Sequence, residues 1–430
     1  MHVSPPDPAA DPVAVLMRPE GRAEPYRVYA DLRQRGLYRS SLGLWATASH
    51  HTAASILRDQ RFSTSPAHLN GYRPAAYPAG DPRGALPAAD LLTMDAPDHT
   101  RLRRLVSGAF STGVTVRLEP WIHDLVGRLL AAVDGAAGFD LIDELAFPLS
   151  ITVICHLLGV PARDQASFRA WGHDIITSLD PVSARTAARL SRSAELALAA
   201  YLRELVRVRR ADPDGSLLSA LVAAEEDGDR LSSAELVSTA MLVLVAGFET
   251  TANLIGNGVV ALLREPDQWQ RLHDDPALVP GAVEELLRYD SPVQLAVRIA
   301  AEETAISGVT IRKGEQVMVA IGGANRDPAV FDQPGQLRIG RPNASRHLAF
   351  SAGIHRCLGA ALARLEARVA VAELSRRYPR LELDGTPTRL PLLMLRGFEH
   401  VPVLTLRRRE ATAPPALAHH QARPYRPVRS

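Results

Sequence analysis

The chain has 430 residues, of which 46 % are hydrophobic and 22 % are charged, and its formal net charge is +2. This composition is ordinary for a globular protein with a large core, and the small net charge gives no reason to expect binding to nucleic acid or to an anionic membrane. The two cysteines, Cys155 and Cys357, cannot build a disulfide framework and fit a reducing, cytoplasmic setting. We expect a monomer in the cytoplasm.

Helical periodicity dominates the chain. It predicts helices over Pro25–Arg35, Thr100–Ser107, Glu119–Asp134, Glu195–Arg210, Ser233–Leu263, Ala277–Tyr289 and Leu358–Tyr378. Short β-like runs occur at Val309–Ile311, Glu315–Ala320 and Val401–Leu406. The predicted fold is mainly α, a helix-rich single domain over residues 25–407 with small peripheral β-sheets. Residues 1–24 are predicted to be an N-terminal extension and residues 408–430 a disordered basic tail.

The longest predicted helix contains an isolated carboxylate. Ser232 and Glu235 form a Ser-x-x-Glu capping box, and Pro266 ends the helical pattern. The residues between them are almost all apolar or small, which predicts burial on most sides. Glu249 interrupts this pattern, and a buried charge costs several kcal/mol unless it is paired or protonated. The helix is therefore a candidate for a functional site.

A second candidate site is the segment from Phe350 to Ala363, which contains Cys357. Gly353 and Gly359 allow the backbone to approach a flat molecule closely, and a helix is predicted to begin directly after the cysteine. The first turn of a helix lowers the pKa of a thiol and stabilises its thiolate. The thiolate could be a nucleophile, with His355 as the only local base, or a metal ligand. The ligand interpretation is favoured, because at this spacing the His355 ring would tend to point away from the sulfur.

This segment resembles the haem-binding loop of the cytochrome P450 family, Phe-Gly-x-Gly-x-His-x-Cys-x-Gly, and in particular that of its soluble bacterial members. One fixed position differs, since Ser351 replaces the first glycine. The resemblance implies haem b (iron protoporphyrin IX) as cofactor, with Cys357 as axial ligand of the iron. It extends over roughly Tyr26 to Leu406.

Other stretches support the same resemblance. Ala246 to Thr251 is similar to the oxygen-activation motif of the family's long central helix, which implies catalytic roles for Glu249 and Thr250. A hydroxyl at Thr250 and a carboxyl at Glu249 would deliver protons to oxygen bound at the haem. Gly247 would permit a local opening of the helix. The alternative is structural: Thr250 would bond back to a helix carbonyl and Glu249 would be salt-bridged.

Further residues fall at positions where the family contacts haem propionates or builds a structural ion-pair network. The propionate contacts implied by the resemblance are His99, Arg103, Arg298 and His347, and His355 of the haem-binding loop is a further implied cofactor-binding residue. Charge-assisted hydrogen bonds to carboxylates are the strong kind, which suits these residue types. The implied structural network consists of Glu285, Arg288 and Arg341.

The resemblance also implies a lipophilic substrate and a separate electron donor. The expected pocket is mainly aliphatic and is formed by Met241, Leu242, Val245, Ala246, Val293, Leu295, Ala296, Met394 and Leu395, with further walls in the 65–89 loop and near Trp171–Leu179. The chain after Cys357 is too short for a flavin module, so we expect electrons from a ferredoxin and an NAD(P)H-dependent ferredoxin reductase. A basic docking face is expected at Arg101, Arg104, Arg356 and Arg364.

The expected activity is insertion of one atom of O2 into a lipophilic small molecule, by default hydroxylation of a secondary metabolite such as a macrolide, a terpenoid or a peptide. Epoxidation, oxidative ring formation and peroxide-driven oxidation remain alternatives. A haem-binding sensor without catalysis is a further alternative, and a cysteine hydrolase without haem is another.

Overall fold

Helices form most of the chain, as the sequence predicts. The computed structural model describes residues 11–73, 90–223, 225–226 and 229–405. Its helices are α1 (Pro12–Leu16), α2 (Pro19–Ala23), α3 (Pro25–Gln34), α4 (His50–Arg58), α5 (Asp98–Ser107), α6 (Thr112–Ala132), α7 (Phe147–Leu158), α8 (Gln165–Leu179), α9 (Ala184–Ala211), α10 (Leu217–Ala223), α11 (Ser233–Leu263), α12 (Pro266–Asp274), α13 (Val279–Tyr289), α14 (Ile321–Ala324) and α15 (Ala360–Arg377).

The strands are short. They are β1 (Tyr38–Arg39), β2 (Trp45–Thr47), β3 (Phe62–Ser63), β4 (Gly138–Asp140), β5 (Glu225–Glu226), β6 (Asp229–Arg230), β7 (Leu295–Ala300), β8 (Thr304–Ile306), β9 (Val309–Ile311), β10 (Gln316–Ala320), β11 (Leu381–Leu383), β12 (Thr388–Arg389), β13 (Phe398–His400) and β14 (Pro402–Thr405). The largest sheet has the order β1-β2-β10-β7-β3, in which only β2 and β10 pair in parallel. In this sheet Arg298 of β7 pairs with Val317 of β10.

Helix α11 packs against α7, α9, α13 and α15 and organises the main core. Its N-terminus has the predicted capping box: the Ser232 hydroxyl accepts the Glu235 N–H, and the Glu235 carboxylate accepts the Ser232 N–H. By length and composition this helix could cross a membrane, but 67 % of its most apolar window is buried within the protein. Burial on nearly all sides explains its apolar sequence without a membrane.

Helices α1 and α2, which lie within the predicted N-terminal extension over residues 1–24, pack against the rest of the fold. Val13 and Leu16 are buried at 3 % and 1 % exposure and pack in one cluster with Tyr29 and Leu295. The Asp11 carboxylate fixes the entry into α1 by accepting hydrogen bonds from Val13 N–H and from the Ser40 hydroxyl. The predicted tail over residues 408–430 and positions 74–89 of the long loop lie outside the described residues.

Candidate active site

Cys357 lies in a tight loop that precedes α15. Its N–H donates to the Phe350 carbonyl at 2.9 Å, and α15 begins at Ala360, three residues after the cysteine and not directly after it. The loop needs left-handed backbone at two positions, Ser351 (φ 59°) and Gly353 (φ 71°). A Cβ on Gly353 would lie 2.4 Å from the Leu57 carbonyl oxygen, so only glycine fits there. The loop is thereby packed tightly against the end of α4.

The Cys357 side chain faces an internal space. The residue is exposed, yet desolvation by the surrounding protein raises the pKa of its thiol, against the lowering effects of the Gly359 N–H and the Arg103 guanidinium. Both statements hold together only if the sulfur faces a cavity inside the molecule. The sequence-based expectation of a lowered pKa is wrong, because desolvation outweighs the helix terminus. A bound metal ion deprotonates a coordinating thiol outright, so the raised pKa does not prevent Cys357 from binding a metal as a thiolate.

Four cationic or hydrogen-bonding side chains predicted from the sequence meet beside Cys357. The rings of His99 and His355 lie 4.5 Å apart between centroids. Desolvation and the neighbouring charges of Arg298 and His99 lower the pKa of His355 to about 4. Arg103 donates to the Arg356 carbonyl at 2.6 Å, and its charge acts on both His99 and Cys357. The structure therefore brings residues from α5, β7 and the cysteine loop into one cluster.

The two arginines of this cluster have no carboxylate partner, although the charge of Asp95 acts on both of its histidines. Within the described ranges, no carboxylate lies at ion-pair distance from Arg103 or Arg298. Arg298 is 5 % exposed, donates only to the Val297 carbonyl, and has a pKa lowered to about 10 by burial. Both ring nitrogens of His99 are buried without a hydrogen-bond partner. Unpaired buried cations and donors are costly, so the cluster is suited to an anionic group that enters the cavity.

Glu249 and Thr250 lie in the middle of α11. The Glu249 side chain is 5 % exposed, its Oε2 has no hydrogen-bond partner, and burial raises its pKa to about 8. At neutral pH it is therefore mainly a protonated acid and not the salt-bridged carboxylate of the structural alternative. The Thr250 hydroxyl does follow that alternative, because it donates to the Ala246 carbonyl at 2.8 Å. Its oxygen can still accept a hydrogen bond from water.

The predicted opening of α11 at Gly247 is absent: the helix runs without interruption from Ser233 to Leu263. A glycine at position 247 is explained by packing between helices. A Cβ at this position would lie 2.9 Å from Cδ1 of Ile154, so glycine permits the close packing of α7 against α11.

Comparison with known proteins agrees with this geometry. Residues 80–395 match the family model described as "Cytochrome P450". The chain is 42 % identical over 403 residues to "Cytochrome P450 monooxygenase PikC" of Streptomyces venezuelae, which covers 90 % of this chain and 93 % of that protein. The chain belongs to the cytochrome P450 family.

Two further relatives extend the comparison. This P450 is 38 % identical over 391 residues to "6-deoxyerythronolide B hydroxylase" of Saccharopolyspora erythraea, covering 88 % of this chain and 95 % of that protein. It superposes on the crystal structure of "P450BioI in complex with hexadec-9Z-enoic acid ligated Acyl Carrier Protein" with a TM-score of 0.84 at 37 % identity, covering 90 % of this chain and 99 % of that one. The helix-rich fold and the monooxygenase class predicted from the sequence are confirmed.

Membership in the family implies a haem, and the residues present fit one. The unpartnered His99 ring and the buried, unpaired Arg298 would provide donors and positive charge for the haem propionates, together with Arg103. His355 would contact the cofactor from the cysteine loop. Cys357 is a free cysteine and would supply the thiolate ligand of the iron. When bound, a haem with thiolate ligation supplies the iron chemistry that favours cleavage of the O–O bond.

His347 does not join this cluster, contrary to the prediction. Its Nδ1 accepts the Ala349 N–H at 3.1 Å, so Nε2 carries the proton and donates to Glu284 at 3.2 Å. Glu284 also pairs with Arg364 at 2.6 Å, and these two partners help lower its pKa to about 2 against the raising effect of desolvation. Both His347 nitrogens are thus occupied, and its ring has no free N–H for a propionate. Sequence analysis missed Glu284, because it is the unremarkable neighbour of the Glu-x-x-Arg motif.

The predicted structural network does assemble. Arg288 donates to both oxygens of Glu285 at 2.7 and 2.8 Å, and Arg341 Nε lies 3.0 Å from Glu285 Oε2. The three side chains are 0 %, 0 % and 3 % exposed. The Arg288 and Arg341 guanidinium groups also donate to the Gln336 carbonyl, so the network fixes the loop over residues 333–341 on α13.

Most predicted pocket residues are partly accessible inside the fold. Ala246 is exposed although it lies mid-way along a core helix, and Val293, Ala296, Met394 and Leu395 are half-buried. Val297, at the end of the wall that the resemblance places over Val293–Val297, is 40 % exposed. The remaining predicted positions, Met241, Leu242 and Val245, lie half-buried or buried on α11. Leu295 is a correction: at 3 % exposure it packs in the cluster with Val13, Leu16 and Tyr29, so it is a core residue.

Ion pairs within the chain reduce the positive charge of the predicted docking face. Arg101 pairs with Glu235 and Arg364 with Glu284, so each of these charges is largely neutralised within the chain. Arg104 and Arg356 are exposed, and Arg356 lies next to the cysteine. Of the four predicted arginines, Arg101 and Arg364 are therefore weak candidates for contact with a partner.

Proposed function

We propose that this P450 hydroxylates a lipophilic secondary metabolite of the size of a macrolide, a terpenoid or a short peptide. The observation that carries the proposal is the partly exposed apolar surface on α11 and β7, from Ala246 to Val297, the neighbour of the buried Arg298. Apolar surface inside a fold is retained where a ligand covers it. The name of the similar 6-deoxyerythronolide B hydroxylase and the fatty acyl chain in the P450BioI complex are consistent with a lipophilic substrate.

In this proposal Glu249 and Thr250 manage protons. Insertion of one atom of O2 into a C–H bond, with release of the other as water, consumes two electrons and two protons. Glu249 has a pKa of about 8 and therefore holds a proton near neutral pH. Thr250 keeps a free acceptor site for water while its own proton is bound to Ala246. The pair can thus supply protons in a pocket that otherwise excludes solvent.

Electrons come, in this proposal, from a ferredoxin and an NAD(P)H-dependent ferredoxin reductase in the cytoplasm. Arg356 is exposed beside the cysteine loop and is the best-placed of the predicted docking arginines. Charge reversal at such a site slows association and alters its salt dependence. Arg356→Glu should lower ferredoxin-supported turnover at low salt, and unchanged turnover with an unchanged salt dependence would exclude this contact.

The absorption spectrum of the reduced, carbon monoxide-treated protein tests haem ligation. A strongly red-shifted Soret band is expected, and Cys357→Ser should abolish it. A colourless protein that takes up no haem on reconstitution would refute the proposal.

The oxygen source separates hydroxylation with O2 from the peroxide-driven alternative. With isotopically labelled dioxygen, reductase and ferredoxin, the label should appear in the product. Thr250→Ala should keep consuming NAD(P)H while forming less product, whereas Thr250→Ser retains the hydroxyl and should behave like the parent. Efficient turnover with hydrogen peroxide alone, unaffected by Thr250→Ala, would instead favour the peroxide-driven enzyme.

A further inference from the structure

A buried carboxylate outside the described site ties the tip of the α8–α9 hairpin to the loop that carries Leu393 to Arg396. Asp180 follows the last residue of α8 and is 2 % exposed. Its Oδ2 accepts the N–H groups of Leu393 and Met394 at 2.6 and 2.8 Å. Its Oδ1 accepts the N–H of Val182 at 3.0 Å, which fixes the carboxylate within its own turn.

The loop that Asp180 holds carries two residues that are expected to line the substrate pocket. Met394 and Leu395 are half-buried residues of this loop, and Leu395 forms an isolated β-bridge with Val293. On the other side the loop is fixed by backbone bonds from Gln294 N–H to the Met394 carbonyl and from Arg396 N–H to the Pro292 carbonyl, both at 2.8 Å. Its end is also held by the Arg396 side chain, which pairs with Asp290 at 2.8 Å, and by Asn257, whose amide donates to the Arg396 carbonyl at 2.8 Å. Asp180 is therefore the side chain that connects this wall to the α8–α9 hairpin.

We propose that Asp180 is a positioning residue of the substrate pocket, which holds the Met394–Leu395 wall in place for bulky ligands. The inference rests on the proposed function, since it concerns the same pocket. Hydrogen bonds to an ionised acceptor are about twice as strong as neutral ones, and here one oxygen collects two of them. The neighbouring Val182 packs against the cluster that contains Leu393, so polar and apolar contacts coincide at this junction.

The consequence is a specificity effect that depends on ligand size. A ligand that touches only the iron does not need the wall, whereas a bulky ligand gains contact area from it. When the wall is not held, ordering it becomes part of the cost of binding. Loss of the Asp180 carboxylate should therefore weaken the binding of large ligands and leave that of small ones unchanged.

Two iron-binding azoles of different size test this inference in the haem-loaded protein. Imidazole is the small probe and econazole the bulky probe, and the Soret shift gives the dissociation constant of each. We expect Asp180→Asn to raise the dissociation constant of econazole about fivefold and Asp180→Ala to raise it about tenfold or more, equivalent to 1.4 kcal/mol per factor of ten. The imidazole constant should change less than about twofold in both.

Two further variants serve as a positive and a negative control. Met394→Ala removes part of the wall itself and should show the same selective loss. Asp31→Asn changes an exposed carboxylate on α3 that pairs with Arg35 at 3.0 Å, and it should alter neither constant.

Each other outcome overturns a specific statement. If both Asp180 variants bind econazole like the parent, or if imidazole and econazole weaken equally, Asp180 has no positioning role. Should Asp180→Ala fail to fold, Asp180→Asn decides alone, because the amide keeps the shape of the side chain. If the parent protein gives no Soret shift with imidazole, the proposed function fails instead.

Discussion

Because Glu249 is buried and protonated near neutral pH, we predict that it lowers the free energy of unfolding as the pH rises. Glu249→Gln should remove this dependence. Burial raises the pKa of this carboxyl from 4.5 to about 8, so the folded state binds a proton that the unfolded state has released. Stability is therefore lost as the pH rises from the unfolded pKa towards the folded one. At 1.36 kcal/mol per pKa unit, this single group costs roughly 3–4 kcal/mol between pH 5 and pH 8. Glu249→Gln keeps the shape without the titration and should lack this loss.

Differential scanning calorimetry of the haem-loaded protein measures the effect. An unfolding entropy of about 2.1 cal/mol/K per residue gives about 0.9 kcal/mol/K for a chain of this length, so the expected gap is roughly 4 °C. The melting temperatures of parent and Glu249→Gln should lie close together at pH 5 and diverge to this extent at pH 8, with the variant higher. Glu204→Gln, at an exposed carboxylate paired with Arg207, should follow the parent. An equal gap at both pH values would refute the raised pKa.

Three further predictions concern the haem loop, the cofactor and the ion-pair network. Ser351→Gly should stabilise the protein by about 1 kcal/mol in urea unfolding, because Ser351 has a φ of 59° and a buried hydroxyl without a partner; a loss of stability would show that the backbone strain is not real. Arg298→Gln should speed haem transfer to apomyoglobin about tenfold or more by removing the most buried charge for the propionates, and an unchanged rate would exclude it as a contact. Glu285→Gln should cost about 3–5 kcal/mol of unfolding free energy, because two buried arginines lose their counter-ion; a change below 1 kcal/mol would contradict this.

Strongly periodic or capped segments could be predicted from the sequence. The bounds of α11 agree at both ends, since the Ser232–Glu235 box and the turn before Pro266 act locally. Helices α4, α7, α8, α10, α12 and α14 were not predicted. In α7 the run from Phe147 to Leu158 is apolar on nearly every side, so it lacks the polar stripe that reveals a helix. The short N-terminal helices were missed because their burial depends on Tyr29 and Leu295, which lie far away in sequence.

The sequence predicted which residues lie in the candidate site where a motif identifies them. It could not predict their hydrogen-bond partners, because these depend on the three-dimensional arrangement. The sequence placed His99, Arg103, Arg298 and His355 together, and the structure brings them to one cavity. It could not show that His347 turns to Glu284, because either role requires the same residue at the same position. The sign of the Cys357 pKa shift was also beyond the sequence, since it depends on how much protein surrounds the sulfur.

The buried N-terminal helices set a limit on how far the chain can be shortened. Val13 and Leu16 are buried in the same cluster as Leu295 and Leu393, and Leu393 is one of the two residues whose N–H groups donate to Asp180. A truncated form that started at Pro25 would leave this leucine pair in contact with water. Trimming for crystallisation or fusion to a reductase should therefore keep the chain from Asp11 onward, because ligand selectivity would otherwise change without any substitution inside the pocket.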